Sequence, residues 1–392
     1  MKSTYRRLGD YIVSVKVRNS DLKAKDLLGI NINKHFMTSV ANIVGTDLSN
    51  YKLVHKNQFA CNRMHVGRDY RIPIAVSERD EPFMVSPAYD VFEIKKPKEL
   101  LPEYLMMWFE RSEFDRNAWF YTDADVRGGL SWQAFEDMQL PIPHIDKQRE
   151  IVKEYNTIQN RIALNQQLIQ KLEETAQAIY REWFVEGIDP DNLPAGWKVE
   201  KLKNLCTKIG SGSTPTGGKA SYSSTGISLI RSTNIFDYNF SYEDLAFINN
   251  EQAYKLKNVK VQENDILFNI TGVSVARCCM VPKTLLPARV NQHVMIIRLE
   301  KSQNLYFYLL LNLCSTESKN SFLGISQSGS TREAITKSEI EDFEILIPNA
   351  VTLEKFEQNM QKLFSFKDLK SRESQKLTEL KELLLSRLAT LM

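Results

Sequence analysis

One glycine-rich stretch of the sequence comes close to a phosphate-binding loop. Residues 212–219, GSTPTGGK, place glycines and a lysine near the spacing at which backbone amides bind phosphate and a following serine or threonine holds Mg²⁺. The spacing is wrong by one residue, and Ala220 stands where that hydroxyl should be. We therefore predict a flexible loop, whose amides and hydroxyls could face a DNA backbone.

Three further residues, Asp80, Glu93 and Lys95, have the loose carboxylate, carboxylate, lysine order of a metal-dependent nuclease. Such spacings arise often by chance, and residues 91–95 alternate between apolar and polar side chains, as in a half-buried strand. We therefore favour a structural strand over a nuclease site.

Other catalytic and metal-binding patterns are missing from the sequence. His35, His55, His65, His144 and His293 show no metal-ligand spacing. There is no nucleophile elbow, no dinucleotide glycine fingerprint and no Asn/Asp-Pro-Pro-Tyr/Phe tetrapeptide of an amino-methyltransferase. We therefore expect a noncatalytic chain that binds no metal and no cofactor.

The remaining candidates are polar and cationic residues on turn-rich segments. Arginine, asparagine and glutamine carry paired donors and acceptors that match base edges in the major groove of DNA. For any single residue, a solvated surface position is the simpler explanation, but these residues form two groups along the chain. The candidate DNA-binding residues are Gln58, Asn62, Arg63, His65, Arg68, Arg71 and Arg127 in the first group and Ser213, Thr214, Lys219, Arg231, Asn234, Arg277 and Arg332 in the second.

An internal repeat organises the whole sequence. Residues 130–143 (LSWQAFEDMQLPIP) align without a gap to residues 335–348 (ITKSEIEDFEILIP), an offset of 205 positions. The same offset places Arg127 on Arg332. The sequence therefore predicts two related globular blocks, each followed by a helix.

The helix of the first half has the seam of a coiled coil. Its seam residues step by four and three positions, which is typical of a helix that packs on another helix. An amphipathic helix lying on its own domain is the alternative, but the repeat offers an obvious partner. Asn165 lies in the seam, where an amide can fix the register or be solvated at a loose crossing. The predicted seam comprises Ile151, Tyr155, Ile158, Ile162, Asn165, Ile169, Leu172, Ile179 and Trp183, and in the counterpart helix Phe356, Met360, Leu363, Leu377 and Leu384.

These patterns predict an α+β fold with an internal pseudo-twofold repeat, in which two mixed α/β domains are separated by two long antiparallel coiled-coil helices. Short apolar runs between turn residues predict the strands of each domain. Residues 187–196, GIDPDNLPAG, end the first helix. The predicted boundaries are 1–147 for the first mixed domain, 148–187 for the central spacer helix, 188–350 for the second mixed domain and 351–392 for the distal helix.

Composition is that of an ordinary globular protein. The 392 residues are 43% hydrophobic and 25% charged, and the formal net charge of +3 is too small to identify a partner. The five cysteines form no C-x-x-C pair, and the first residues have no apolar stretch, so we expect a cytoplasmic chain with reduced thiols. No apolar run approaches the ~18 residues of a membrane span, so we expect no membrane role.

Several short motifs occur together along almost the whole chain: residues 58–62 (QFACN), 85–92 (VSPAYDVF), 180–190 (YREWFVEGIDP), 193–202 (LPAGWKVEKL), 212–215 (GSTP), 264–268 (NDILF) and 290–294 (VNQHV). The junction of YREWFVEGIDP and LPAGWKVEKL is the most specific of them. In these motifs the sequence resembles the specificity subunit of a type I DNA restriction-modification system. Two departures from the family's motifs are small: Asn264 stands where the family usually has glycine, and Cys61 where it often has tyrosine.

The resemblance implies a noncatalytic subunit with two target-recognition domains, each of which reads half of a split, asymmetric sequence in double-stranded DNA. It also implies that the long helices dock two methylation subunits, and that restriction and translocase subunits join through the complex. S-adenosylmethionine and ATP would bind those partner chains. A two-armed protein-interaction adaptor without DNA binding is the alternative from a different class.

The first long helix leads to a prediction about target spacing. From Gln148 to Phe184 there are 37 residues, which a continuous helix extends over ~55 Å. If the two helices set the distance between the recognition domains, about four extra residues near Gln166 should add ~6 Å, close to two base-pair steps. We expect methylome sequencing of an active insertion variant to find the same bases with a longer unread gap. An active variant that keeps the original gap would show that partner subunits position the domains.

Overall fold

The computed structural model of this chain describes residues 5–41, 44–64, 66–122, 128–215, 217–328 and 334–390. The chain divides into two compact units, the first formed by Met1–Asn165 with Arg372–Met392 and the second by Gln166–Ser371. Both divisions fall inside long helices, and the four-part boundaries drawn from the sequence stay a prediction. Among the helices of the described ranges, none is both long enough and apolar enough to span a bilayer.

The first unit is built from short strands and helices, because glycine, proline, asparagine and aspartate interrupt its apolar runs. The long helix that follows them is continuous and passes from the first unit into the second between Asn165 and Gln166. The elements are β1 (Tyr5–Arg7), β2 (Ile12–Val15), β3 (Leu28–Ile30), β4 (Phe36–Thr38), β5 (Lys52–Val54), β6 (Phe59–Cys61), α1 (Val66–Asp69), β7 (Ile74–Val76), β8 (Phe83–Val85), β9 (Asp90–Ile94), α2 (Pro102–Glu110), α3 (Ser112–Phe120), α4 (Trp132–Asp137), β10 (Gln139–Pro141) and α5 (Ile145–Phe184).

The main sheet of the first unit is antiparallel, with strand order β2-β9-β6-β7. Phe59 on β6 lies opposite Phe92 on β9, and their rings stack with centroids 5.0 Å apart. Phe109 of α2 packs edge-on against both rings. All three side chains are fully buried, so α2 covers one face of the sheet and closes the core of this unit.

The second unit is also built from short strands and helices. Its elements are β11 (Lys198–Lys201), α6 (Leu202–Leu205), β12 (Cys206–Ser211), β13 (Ile227–Ile230), β14 (Ile235–Phe236), β15 (Asn239–Phe240), β16 (Ala246–Ile248), α7 (Asn250–Lys255), β17 (Ile266–Asn269), β18 (Cys278–Met280), β19 (Ala288–Val290), β20 (Val294–Leu299), α8 (Tyr306–Leu313), α9 (Thr316–Ser328), α10 (Lys337–Glu341), β21 (Glu344–Ile347) and α11 (Ala350–Arg387). Besides its main sheet, this unit has a three-stranded sheet with the order β16-β13-β19, in which β13 and β19 are parallel.

The repeat seen in the sequence extends to the strand topology. The main sheet of the second unit has the order β12-β20-β17-β18, again antiparallel, which matches β2-β9-β6-β7 strand for strand. In both units a separate antiparallel pair, β1 with β10 and β11 with β21, joins the start of the unit to the strand that precedes its long helix. The two blocks therefore share one chain path.

The long helices supply part of each core. In the first unit the start of α5 is buried in one cluster with the end of α11, through Ile158 and Leu384 among others. In the second unit the end of α5 packs on the start of α11, where the ring of Phe184 meets that of Phe356 at 4.7 Å. A late residue of one helix thus meets an early residue of the other, so they run antiparallel there. All of the predicted seam residues are buried or half-buried.

Asn165 is the polar exception in the seam. Its side chain is only 2% exposed, and its Nδ2 has no hydrogen-bond partner among the described residues. The Oγ of Ser374, on the other long helix of the same unit, is also buried without a partner. Because a buried, unpaired amide costs free energy, Asn165 is better suited to specifying register than to adding stability. The solvated alternative is not compatible with this burial.

A buried carboxylate on α11 caps a helix of the second unit. Glu357 accepts hydrogen bonds from the backbone N–H groups of Phe307 and Tyr308, at 3.2 and 2.7 Å, where α8 begins. These amides have no partner inside their own helix, so the carboxylate satisfies them. Burial raises the pKa of Glu357 to about 7, although the amide hydrogen bonds oppose the shift.

The turn before β17 explains one departure from the family pattern. Asn264 has a φ of 66°, in the left-handed region that glycine adopts freely and asparagine tolerates. The next residue, Asp265, is fully buried and accepts two hydrogen bonds from the guanidinium of Arg298, at 2.7 and 2.8 Å. It also accepts one from the amide of Gln262 at 2.7 Å. This turn fixes β17 against β20.

We predict that Asp265→Asn destabilises the second unit by about 3 kcal/mol, because it leaves the half-buried Arg298 without its charge partner. Urea unfolding and hydrogen exchange of the β17 and β20 amides would measure the loss. Glu251→Gln is the matched control, since it removes the exposed pair with Lys255 and should change stability by less than about 0.5 kcal/mol. Equal effects of the two variants would refute the structural role of Asp265.

Candidate nucleic-acid interface

The first group of candidate DNA-binding residues lies mostly on one loop. This loop, hairpin loop 1 (residues 62–73), joins β6 to β7 and is closed by the hydrogen bond from Asn62 N to Pro73 O at 2.9 Å. In the second unit the matching connection, hairpin loop 2 (residues 269–277), joins β17 to β18 and is closed from Asn269 N to Arg277 O at 2.8 Å. The two loops occupy the same place in the two sheets.

A second segment braces each hairpin loop in the same way. Leu130 N donates to Arg63 O at 3.0 Å, and Ile335 N donates to Ile270 O at 2.8 Å. Leu130 and Ile335 are 205 positions apart, the offset of the sequence repeat. The repeat therefore preserves a backbone frame around each loop, since both hydrogen bonds use main-chain atoms alone.

Close backbone contact holds hairpin loop 1 against its bracing segment. Gly67 N donates to Gly128 O at 2.7 Å, and a Cβ on Gly67 would lie 2.7 Å from the Gly128 Cα. No side chain fits in that gap, so glycine is required at both positions. His65 and Arg127, predicted from the sequence to contact DNA, lie outside the described residues.

Two of the predicted residues of this group are engaged inside the first unit. Arg63 donates to the carboxylate of Asp90 at 2.7 Å and to Leu130 O, and its guanidinium lies over the ring of Trp132. Gln58 is buried and donates to Glu93 at 2.8 Å. The structure therefore gives both side chains a role in holding the unit together, and base contacts by them would require these bonds to break.

The exposed cations of this group are on hairpin loop 1. Arg68 is exposed and forms two hydrogen bonds with its neighbour Asp69, at 2.7 and 2.8 Å. Arg71 is also exposed, while Asn62 is half-buried and accepts the amide of Met64 at 3.1 Å. Arg68 and Arg71 are the guanidiniums of this group best placed to meet a ligand.

In the second unit, two sequence motifs and hairpin loop 2 meet in one chain of hydrogen bonds. Thr214, of the GSTP motif, donates to the side chain of Gln292 at 2.5 Å, and Gln292 contacts His293 at 2.9 Å. His293 in turn bonds the hydroxyl of Thr271, on hairpin loop 2, at 2.7 Å. Gln292 and His293 belong to the VNQHV motif but were not predicted as site residues. Their place in this motif could have identified them, because glutamine and histidine side chains carry hydrogen-bond donors and acceptors that suit DNA. Ser213, next to Thr214, is exposed.

The glycine that suggested a phosphate-binding loop has a packing role. Gly212 N donates to Asn291 O at 3.0 Å, and a Cβ on Gly212 would lie 1.7 Å from the carbonyl oxygen of Val290. The GSTP segment therefore passes directly over the VNQHV backbone, where only glycine fits. This contact explains the glycine without any phosphate.

The structure corrects the role of Asn234. This residue is fully buried, and its amide donates to Ser241 O and Glu243 O, each at 3.0 Å, so it cannot face a base edge in this fold. Arg231 is half-buried and donates to Asp244 O. Its role in DNA binding stays a prediction.

Three cationic candidates of the second group remain: Arg277, Lys219 and Arg332. Arg277 closes hairpin loop 2, and its guanidinium lies 5.3 Å from the ring centre of Phe236. Nothing is described for the side chain of Lys219, and Arg332 lies outside the described residues. DNA contacts by these three residues also stay predictions.

The residues that suggested nuclease chemistry serve other contacts. Asp80 is exposed and pairs with Lys56 at 2.5 Å, and Lys95 donates to Gly9 O at 2.9 Å. Glu93 accepts from Gln58, as described above. No element of the described structure brings the two carboxylates and the lysine into one metal-binding group.

Within the described residues, one cluster places three possible metal ligands together: Asp237, Cys278 and Cys314. The two sulfur atoms are 3.3 Å apart, and both thiols are buried. The Asp237 carboxylate is already an acceptor for the ammonium of Lys319 and the amide of Cys278. We interpret the cluster as an internal polar contact, since protein donors occupy the carboxylate.

The two halves of the chain match one family model. The model describes the type I restriction modification DNA specificity domain and matches residues 32–174 and 194–382. The chain belongs to this family. Each matched range contains one hairpin loop and its bracing segment.

Two curated proteins that are similar to this chain are also type I specificity subunits. The chain is 26% identical over 261 residues to the type I restriction enzyme MjaIX specificity subunit of Methanocaldococcus jannaschii, covering 61% of this chain and 58% of that protein. It is 29% identical over 125 residues to the HindI specificity subunit of Haemophilus influenzae, covering 30% of this chain and 27% of that protein. The chain thus spans little more than half, and about a quarter, of these relatives' lengths.

A solved structure shows the same fold. The crystal structure of the type I restriction-modification S subunit from M. genitalium is 12% identical, covers 99% of this chain and 96% of that chain, and has a TM-score of 0.56. The family match and the curated relatives confirm the resemblance to type I specificity subunits. The likeness to this structure confirms the α+β class, with mixed domains and two long helices.

We predict that replacing Arg63 by alanine lowers the stability of the first unit, whereas replacing Arg68 by alanine does not. Arg63→Ala should destabilise the first unit by about 2 kcal/mol, because it leaves the carboxylate of Asp90 and the carbonyl of Leu130 without their donor. Arg68→Ala should change stability by less than about 0.5 kcal/mol, because its partner Asp69 is a sequence neighbour at the surface. Urea unfolding would measure both. If Arg63→Ala proved as stable as Arg68→Ala, Arg63 would be available for DNA after all.

Proposed function

We propose that this chain is the noncatalytic DNA-recognition subunit of a type I restriction-modification enzyme. Each unit reads one half of a split, asymmetric target in double-stranded DNA. The long helices dock two methylation subunits, and restriction and translocase subunits join through that complex in the cytoplasm. The family match on both halves of the chain carries this proposal.

Two further observations support it. The units repeat one frame, yet the loops within that frame differ in length and in side chains, as expected if each unit reads a different half-site. The residues that came closest to catalytic patterns make other contacts: Gly212 packs against the backbone of Val290, Asp80 forms a surface ion pair with Lys56, and Glu93 accepts from Gln58. Adenine methylation and ATP-driven steps are accordingly assigned to partner chains.

A two-armed adaptor without DNA binding is the alternative. The two functions differ in their dependence on salt. A DNA-binding complex neutralises phosphates and releases counterions, so the logarithm of its affinity for a duplex falls linearly with the logarithm of salt concentration. An adaptor would show no duplex binding of this kind.

We predict that the chain with its methylation subunits binds duplex DNA with such a salt slope and methylates a split motif. Arg68→Ala and Lys219→Ala lie on different units, so each should relax one half of the motif and cost ~1–3 kcal/mol if it contacts a base edge. Methylome sequencing would measure this, with each variant as the other's control. Both halves changing together would contradict independent recognition, and a complex without duplex binding would favour the adaptor.

A further inference from the structure

Hairpin loop 2 ends in an apolar side chain that points away from the protein. Val273 is 98% exposed and sits in a single tight turn, Gly272–Ser274. The turn depends on Gly272, whose φ is 72°, and is closed by the hydrogen bond from Val275 N to Gly272 O at 2.9 Å. The valine is therefore at the tip of the loop.

Hydrogen bonds hold the turn that carries Val273 on both sides. Asn269 is fully buried, and its amide donates to Ser232 O at 3.0 Å and to the hydroxyl of Ser274 at 3.2 Å. On the other side of the turn, the Thr271 hydroxyl bonds His293. Because Thr271 is bonded to His293 and Ser274 to the buried Asn269, the backbone on both sides of Val273 is tied to the rest of the unit, unlike that of a free surface loop.

Hairpin loop 1 carries a larger, aromatic side chain. Tyr70 is 62% exposed, and its φ of 57° turns the chain sharply after α1. Its ring packs against that of Trp119, at the end of α3, with centroids 5.3 Å apart. The exposed Arg71 follows it in the chain.

Single exposed apolar or aromatic residues are common, and neither Tyr70 nor Val273 alone would indicate a function. Here the two residues lie on topologically equivalent loops inside a repeated frame, and each loop also carries arginine. Apolar side chains contact the thymine methyl group in the major groove, and arginine beside them binds base edges or phosphate. This combination fits the edge of a DNA duplex.

We propose that Tyr70 and Val273 are specificity-determining residues, each contacting base edges in the half-site that its own unit recognises. The proposal rests on the function proposed above and deepens it, because it names the side chains that select bases. The frame of each hairpin loop sets the position of its exposed side chain, and that side chain sets the base preference.

The experiment uses the full chain assembled with its methylation subunits. Val273→Ala should lower the methylation rate at the wild-type motif about tenfold and relax base preference in one half only. Tyr70→Asn should do the same for the other half; asparagine is chosen because it tolerates the positive φ that alanine resists. Tyr70→Phe should retain the preference if the ring makes the contact.

Val199→Ala is the matched control, since Val199 is an exposed valine on β11, away from hairpin loop 2 in the chain. It should leave the motif and the rate unchanged. Urea unfolding of each variant checks the fold, and Val273→Thr, which replaces one methyl group with a hydroxyl, provides a second variant of nearly the same shape.

The outcomes separate the two proposals. If the wild-type complex methylates a split motif while Val273→Ala, Val273→Thr and Tyr70→Asn all keep the motif and rate of the Val199→Ala control, Tyr70 and Val273 do not determine specificity, and the proposed function stands. If the wild-type complex methylates no split motif, the proposed function fails, and the assignment of Tyr70 and Val273 fails with it.

Discussion

The structure depends on the burial of one helix seam against another. The start of α5 and the end of α11 share a core in the first unit, and the end of α5 and the start of α11 share one in the second. A long helix with a narrow apolar seam is not stable alone in water. Neither core is complete without residues from both helices, so each unit depends on contacts between distant parts of the chain, as Phe184 with Phe356 shows.

Within each unit, the backbone frame at the base of each hairpin loop is distinct from the exposed side chains that the loop carries. Backbone hydrogen bonds fix the base of each hairpin loop, and backbone atoms are the same whatever the side chains are. The frame is therefore the same in the two units although the exposed side chains of the loops differ, as Tyr70 and Val273 do. Gly67 and Gly212 contribute through close approach of two backbones, which leaves the neighbouring side chains free to vary.

Residue type was a poor guide to which polar side chains face outward. Arg63 and Arg68 are five positions apart and chemically identical, yet one is bound to Asp90 and Trp132 and the other lies on the surface. Buried polar groups are nearly always hydrogen-bonded, so contacts inside the unit occupy some of the side chains whose type could match a base. Asn234 is the clearest case, since local carbonyls take both of its amide hydrogens.

The sequence by itself determined the repeat, the helix seam and the family, because these depend on spacing along the chain. Helical periodicity is local, so Ile158 and Phe356 could be placed in a seam without coordinates. Only the tertiary structure paired the hairpin loops. Leu130 and Ile335 keep the offset of 205, but Asn62 and Asn269 are 207 apart, so a length change hides their equivalence. It also decided contacts such as Thr214 with Gln292, 78 positions away, which depend on how strands pack, and packing is not local in sequence.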